Sequence, residues 1–105
     1  MAINGREVQR ILTSWVKRHR LEISDVYRDQ FFYVDMVDDA GNEYEISVAV
    51  HEEADALRVR VWQRGHKRSV GSIADLSNLE DVLEAAYSTV TKWVSQLGGT
   101  RVRVL

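Results

Sequence analysis

Arginine and aromatic side chains recur at alternating positions of the predicted strands, and they are the side chains best suited to bind a ligand. Arg58 and Arg60 alternate with apolar residues in one strand, and Phe31 and Tyr33 do so in another. Guanidinium groups bind planar anions and stack on aromatic faces. A sheet face of this composition also suits single-stranded nucleic acid, because bases stack on the rings while arginines follow the phosphates. The candidate site residues are Phe31, Tyr33, Ser47, Arg58, Arg60, Trp62 and Arg64.

An acidic group surrounds the predicted turn between the first two of these strands. It comprises Asp35, Asp38, Asp39, Glu43 and Glu45. Carboxylate oxygens of this kind can hold Ca²⁺ or Mg²⁺. Their spacing does not match the calcium-binding loop pattern, so we interpret them as a solvated hairpin tip that aids solubility. A hydrolytic enzyme centred on this hairpin is the weakest of our functional interpretations.

The histidines and the glycine pattern give little support to catalysis. His19, His51 and His66 are predicted at a helix end and at two turns on opposite ends of the sheet, so we do not expect a shared metal ion. The chain has no strained nucleophile turn around a serine. It also has no glycine pattern typical of a phosphate or dinucleotide loop. We therefore predict a protein that is not an enzyme and has no metal or cofactor.

Length and composition indicate one domain, covering residues 1–105. The 105 residues are 45% hydrophobic and 29% charged, with a formal net charge of −2. A nearly neutral chain has no global field to attract nucleic acid or a membrane, so such binding needs a local patch. No apolar run approaches the ~18 residues of a membrane span, and residues 1–6 lack the features of a secretory signal. The absence of cysteine excludes thiol chemistry and fits a reducing, cytoplasmic location.

Strict alternation of apolar and polar residues predicts strands over residues 31–37, 43–51 and 56–64. Their apolar faces are formed by Phe32, Val34 and Met36, by Tyr44, Ile46, Val48 and Val50, and by Leu57, Val59 and Val61. A weaker strand over residues 67–74 contains Gly71 and is predicted at the sheet edge. Residues 20–30 are predicted to form a connector with a short extended piece at most. Residues 100–105 form either a short edge strand or a frayed terminus.

Turn chemistry predicts the same strand pairing as the apolar pattern. Gly41 suits the left-handed position of a three-residue loop with a bulge, and Gly65 suits a two-residue type II′ turn. The turn between them closes at His51 and Ala56. These turns pair Met36 with Tyr44, Val34 with Ile46, Val48 with Val59, and Val61 with Val70.

Apolar residues at intervals of three and four predict two amphipathic helices. The first runs from residue 5 to about residue 19, after an N-cap at Asn4 with Glu7 as the reciprocal residue of a capping box. Ser77 and Glu80 form a second capping box before the other helix. That helix ends at the glycine pair 98–99, which suits a C-cap.

The fold class that satisfies these patterns is α+β in two layers. It consists of an antiparallel meander of three or four strands, extended by a short C-terminal strand if the tail pairs. The N- and C-terminal helices pack on one face, in the order α-β-β-β-β-α. This order resembles the topology of double-stranded RNA-binding domains. The second helix, however, begins with the acidic segment 77–81 where those domains place phosphate-clamping lysines, so no family is assigned.

The sheet face turned away from the helices is predicted to stay open. Its small residues Ser47 and Ala49 form a shallow trough between aromatic rings and arginines, and Arg64, Lys67 and Arg68 are predicted to add positive charge at one end. We expect a cytoplasmic protein-interaction domain that binds a partner, first of all a second copy of itself, through this face. The alternative is an anion or single-stranded nucleic-acid binder that uses the same trough. A third interpretation is a plain surface, or one covered by residues 20–30.

Overall fold

The computed structural model describes residues 4–27, 31–51 and 56–105. Helix α1 spans Gly5–Arg18 and helix α2 spans Leu79–Gln96. The strands are β1 (Asp25–Tyr27), β2 (Phe31–Asp38), β3 (Glu43–His51), β4 (Ala56–Gln63), β5 (Arg68–Ala74) and β6 (Val102–Val104). Of the described residues, neither helix is long and apolar enough to cross a lipid bilayer.

The strands form one antiparallel sheet in the order β1-β2-β3-β4-β5, and β6 also pairs with β2. Strand β1 pairs with the first residues of β2 and β6 with its last residues, so the two short strands share one edge. The predicted α+β meander is therefore confirmed, and so is the C-terminal strand. The connector supplies β1 as an additional edge strand.

The strand registers are those that the apolar pattern predicts. Met36 pairs with Tyr44, His51 with Ala56, and Val61 with Val70. In the first hairpin Gly41 has a φ of +89° and its N–H donates to the Asp38 carbonyl at 3.2 Å, as the three-residue loop requires.

The predicted two-residue turn at Gly65 is wrong, although its register is right. Strand β4 ends at Gln63 and β5 begins at Arg68, which leaves four residues in the loop. Both Gly65 and Lys67 adopt positive φ values, +82° and +52°, whereas the residue that follows a type II′ turn is extended.

Both helices pack on the same face of the sheet, as predicted. Their buried side chains join those of one sheet face in a single core cluster. The largest side chains that are fully buried include Trp15, Tyr44, Leu12, Met36, Ile46, Leu57, Leu79 and Leu83. Each buried Leu, Val or Phe contributes about 1.5–3 kcal/mol relative to exposure, so this face dominates the stability of the fold.

The cap of α1 is confirmed at Asn4, whose side-chain oxygen accepts a hydrogen bond from the Arg6 amide at 2.9 Å. Glu7 forms an ion pair with Arg10 at 2.9 Å. Arg20, the residue after the C-cap His19, adopts a left-handed conformation with a φ of +55°. The Leu21 amide then donates to the Val16 carbonyl at 2.8 Å, which closes a Schellman-type turn.

The predicted capping box at the start of α2 is wrong in its residues. Asn78 is the N-cap residue of α2, and its side chain makes no capping bond there. Its side-chain oxygen accepts from the Asp75 amide at 2.8 Å, while the Asp75 carboxylate accepts from the Asn78 amide at 3.0 Å. The Ser77 hydroxyl also donates to Asp75, at 2.6 Å. Asp75 therefore organises the turn before α2, because its carboxylate accepts hydrogen bonds from the amides of Ser77 and Asn78 as well as from the Ser77 hydroxyl.

The glycine pair at the end of α2 is confirmed as its C-cap. Gly98 has a φ of +83°, and the Gly99 amide donates to the Val94 carbonyl at 2.9 Å. Gly99 also packs closely, because a Cβ atom there would lie 2.8 Å from Val94 Cγ1 and 3.0 Å from Asp39 Oδ1. Gly98 therefore provides the left-handed backbone conformation, and Gly99 allows close packing because it has no side chain.

Candidate functional site

The open face is the side of β2–β5 opposite the helices. Its described side chains are Tyr33, Asp35, Val37, Glu43, Glu45, Ser47, Ala49, Arg58, Arg60, Trp62, Arg64, Ser69 and Ile73. Trp62 is 42% exposed and Ile73 is 62% exposed, which is unusual for large apolar residues. Within the described residues, the connector places Leu21 in the core cluster and pairs β1 with the sheet edge. The part of the connector that the structure describes therefore does not lie over Trp62.

The register brings most of the predicted site residues together on this face. Tyr33 pairs with Ser47 and Ser47 with Arg60, in one row across three strands. Trp62 lies in the next row, opposite Glu45. Phe31 pairs with Ala49 through the backbone, and the prediction for its side chain lies outside what the structure describes.

Arg58 and Arg60 form the basic end of the open face. Both side chains are exposed, and neither forms an ion pair or a side-chain hydrogen bond with any residue that the structure describes. The small residues Ser47 and Ala49 beside them are only half-buried. The result is a shallow depression with two uncompensated guanidinium groups on one side and the Trp62 ring near one end.

Arg64, Asp35, Glu43 and Glu45 form the acidic end of the same face. The Arg64 guanidinium lies 3.1 Å from an Asp35 oxygen, 3.0 Å from Glu45 and 3.4 Å from Glu43. The hydrogen bond with Glu45 and the nearby carboxylate charges raise the pKa of Arg64. Three carboxylates surround one guanidinium, so this end has net negative charge. The expectation that Arg64 makes it positive is wrong, because the register places Asp35 and Glu45 within reach of its side chain.

Arg68 lies on the opposite side of the sheet from the open face. It pairs with buried Gln63, its guanidinium lies 4.4 Å above the centre of the Trp93 ring, and it donates to Gln96 at 2.9 Å. The prediction that Arg68 adds charge to the open face is therefore wrong. Side chains alternate along a strand, and Arg68 shares the parity of Val70, not that of Ser69.

The acidic hairpin is built differently from the solvated tip that the sequence predicts. Asp38 is only 3% exposed. Its carboxylate accepts hydrogen bonds from the Tyr44 hydroxyl at 3.0 Å and from the amides of Asn42 and Ala40 at 2.8 and 2.9 Å. Burial raises the pKa of Asp38, but these hydrogen bonds together outweigh it and lower the pKa. The interpretation as a solvated residue is wrong for Asp38, which instead holds the loop closed.

Asp39 ties the same hairpin to the C-terminal tail. It accepts from the Thr100 hydroxyl at 2.6 Å and from the Thr100 amide at 2.8 Å. These hydrogen bonds lower the pKa of Asp39 to about 2. Among the described residues, no group of three or more His, Asp or Glu side chains is arranged to hold a metal ion.

A polar contact between the two helices was not anticipated from the sequence. One oxygen of Glu84 lies 2.8 Å from the Trp15 indole nitrogen and 2.6 Å from His19 Nε2. The His19 ring lies 4.2 Å from the Tyr87 ring. Its only sequence signal is a pair of helical spacings, four residues from Trp15 to His19 and three from Glu84 to Tyr87. The contact fixes α1 against α2, and the hydrogen bond to His19 lowers the pKa of Glu84.

A second concave region, the basic recess, lies between the end of α1 and the C-terminal tail. It has a volume of about 460 Å³ and is lined by His19, Arg20, Asp39, Arg101, Val102 and Arg103. No pattern in the sequence predicts this recess, because its residues come from three separate segments of the chain.

No family model, curated protein sequence or solved structure matches this chain. The surfaces of the molecule are therefore the basis for inferring its function. The open face and the basic recess each combine a concave shape with charged side chains.

Proposed function

We propose that the protein is a non-enzymatic interaction domain that forms a homodimer by packing its open face against that of a second copy. The observation that carries this proposal is the exposed Trp62 ring, which lies between a basic and an acidic end of one sheet face. Exposed aromatic residues and arginines are enriched at protein interfaces.

The shape of the open face suits a copy of itself. Trp62 projects from β4, and the half-buried residues Ser47 and Ala49 leave a depression on the neighbouring strand. In a face-to-face pair, the ring of one protomer fills the depression of the other. Trp62 is 42% exposed, and burial of this exposed part removes apolar surface from water, which favours association.

The charges of the open face are self-complementary. Arg58 and Arg60 lie at one end of β4, and Arg64 with its three carboxylates lies at the other. At about 3.4 Å per residue, Arg60 and Arg64 are roughly 14 Å apart along the strand. A two-fold axis near Trp62 places the basic end of each protomer over the acidic end of its partner, which is the arrangement of an isologous interface.

The size of the face predicts a weak dimer. Four strands of seven to nine residues cover about 25 Å by 19 Å at ordinary strand spacings. Two such faces cover roughly 950 Å² in total, which is below the range of about 1,200–2,000 Å² for stable interfaces and typical of weak, transient ones. We therefore expect dissociation in the micromolar range.

The alternative function is binding of an anion or single-stranded nucleic acid in the same trough. It is supported by Arg58 and Arg60, which are uncompensated by the described residues, beside the Trp62 ring. The acidic end opposes it, because a phosphate backbone that follows β4 meets three carboxylates. Salt-dependent binding of an oligonucleotide that Arg60→Ala abolishes would favour this alternative over dimerisation.

Reversal of charge at each end tests the proposed dimer directly. We expect Arg58→Glu/Arg60→Glu to be monomeric in sedimentation, because each new acid faces the partner's acidic end. We also expect Glu43→Lys/Glu45→Lys to be monomeric, because each new lysine faces the partner's basic end. An equimolar mixture should form a heterodimer, since every contact across it then joins opposite charges.

The mixture also supplies the control for unfolding, because a misfolded variant cannot be rescued by its counterpart. If the two variants stay monomeric when mixed, or if each alone dimerises like the unaltered protein, the proposed interface is wrong.

A further inference from the structure

We propose that the basic recess binds a small oxyanion with two or more negative charges, such as a diphosphate or a polycarboxylate. This inference does not depend on the proposed dimer. The recess adjoins β6 and the end of α1, whereas the proposed interface centres on Trp62 in β4.

The recess has the size and composition of an anion site. Its volume of about 460 Å³ lies within the range of about 300–1,000 Å³ typical of small-molecule pockets. Arg20 comes from the turn after α1, and Arg101 and Arg103 come from the C-terminal tail. Guanidinium groups bind phosphate and carboxylate through two parallel N–H donors, so three of them around one cavity favour a multivalent anion.

The arginines of the recess lack ion-pair partners among the residues that the structure describes. Arg20 and Arg101 form no ion pair or side-chain hydrogen bond with the residues that the structure describes. Arg103 donates to the carbonyl of Val104 at 3.2 Å, which leaves its charge uncompensated.

The other polar groups of the recess have partners already. Asp39 accepts both hydrogen bonds from Thr100, and His19 Nε2 lies against Glu84. Three arginines and a single acidic residue therefore line the cavity, and an anion relieves the mutual repulsion of the arginines.

The backbone of Arg20 supports a role for its side chain. Its φ of +55° belongs to the left-handed position after a helix, which glycine adopts at lower cost. Lys17 and Arg18 already provide basic residues for the last turn of α1. The end of the helix therefore does not require an arginine at position 20. A bound anion in the recess would explain its presence there.

The test is a titration with sodium pyrophosphate, and separately with citrate, at constant ionic strength and followed by the amide and arginine NMR signals. We expect saturable shifts at residues 19–20, 39 and 101–103 with at least one of the two anions. The two arms distinguish a phosphate site from a carboxylate site. Arg20→Gly should fold at least as well as the unaltered protein, since glycine suits the backbone, and should bind roughly tenfold more weakly.

Arg101→Gln provides a second variant on a different segment, with the same expected loss. Arg6→Gln is the matched control, because it removes another exposed arginine at the far end of α1 and should leave affinity unchanged. Shifts that do not saturate with either anion overturn the proposal, as does undiminished affinity in folded Arg20→Gly and Arg101→Gln.

Discussion

At the scale of single residues, the Tyr44 hydroxyl links the core to the first hairpin. Tyr44 is fully buried, and its hydroxyl donates to Asp38 at 3.0 Å. Burial and the hydrogen bond to Asp38 raise the pKa of Tyr44 to about 12, so the group stays protonated and keeps donating. The alternation of the strand predicts the burial of Tyr44. It does not predict that Asp38 lies beside the hydroxyl and accepts its hydrogen bond.

We expect Tyr44→Phe to lower the free energy of unfolding by about 1–2 kcal/mol, because Asp38 loses a donor in a buried site. Urea denaturation measures this difference. The matched control is Tyr87→Phe, whose hydroxyl makes no hydrogen bond with the described residues. Equal effects of the two variants would show that the Asp38 contact contributes nothing.

The Asp39 carboxylate makes stability depend on acid pH. Its pKa of about 2 in the folded state lies below the value of about 3.9 expected for an unfolded chain. The folded state therefore favours the ionised group, and this contribution is fully present above about pH 4 and is lost as the pH falls through about 2. Asp38, Asp75 and Glu84 also have lowered pKa values and add to the same trend.

Thr100→Val isolates the Asp39 contribution, because it removes the hydroxyl donor and keeps the backbone amide. We expect the stability of this variant to decline less steeply than that of the unaltered protein between about pH 4 and about pH 2. Urea unfolding at a series of pH values measures the two slopes. Indistinguishable slopes would rule out the Thr100 hydroxyl as the cause.

At the scale of elements, the strand registers and the start of α1 could be predicted, whereas the cap of α2 could not. Pairs such as Met36 with Tyr44 follow because a shift of one residue turns every apolar side chain to solvent. A shift in the start of α2 has no comparable cost, because Asp75, Ser77 and Asn78 are all residue types that suit a helix cap. Only the hydrogen bonds of the folded turn select among them. Strand β1 could be predicted only as a short extended piece within residues 20–30, because three residues are too few to show a period.

The junction of α2 with the first hairpin depends on the absence of a side chain at Gly99. We expect Gly99→Ala to lower stability by about 1–3 kcal/mol, because the new methyl group meets a buried, stiff valine and two carboxylates. Gly71→Ala is the control: a Cβ atom there has nothing within 4 Å. It should change stability by less than about 1 kcal/mol, in the stabilising direction. Thermal unfolding compares the two, and a neutral Gly99→Ala would contradict the close packing.

At the scale of the whole molecule, both helices cover the same side of the sheet, and the other side is left open. The alternation of the strands predicts which residues share that side, and Tyr33, Ser47, Arg60 and Trp62 lie there together. The charge pattern could not be predicted in the same way. It depends on the long side chain of Arg64, which reaches across to carboxylates on two other strands.

The central claim is that Trp62 anchors a homodimer. Sedimentation equilibrium of the unaltered protein should show a monomer and dimer in exchange at micromolar concentration, and Trp62→Glu should be monomeric throughout. Val70→Glu is the matched control, because Val70 is similarly exposed, at 46% against 42%, on the opposite side of the sheet, and it should dimerise normally. A monomer at every concentration for the unaltered protein, or undiminished dimerisation of Trp62→Glu, would contradict the claim.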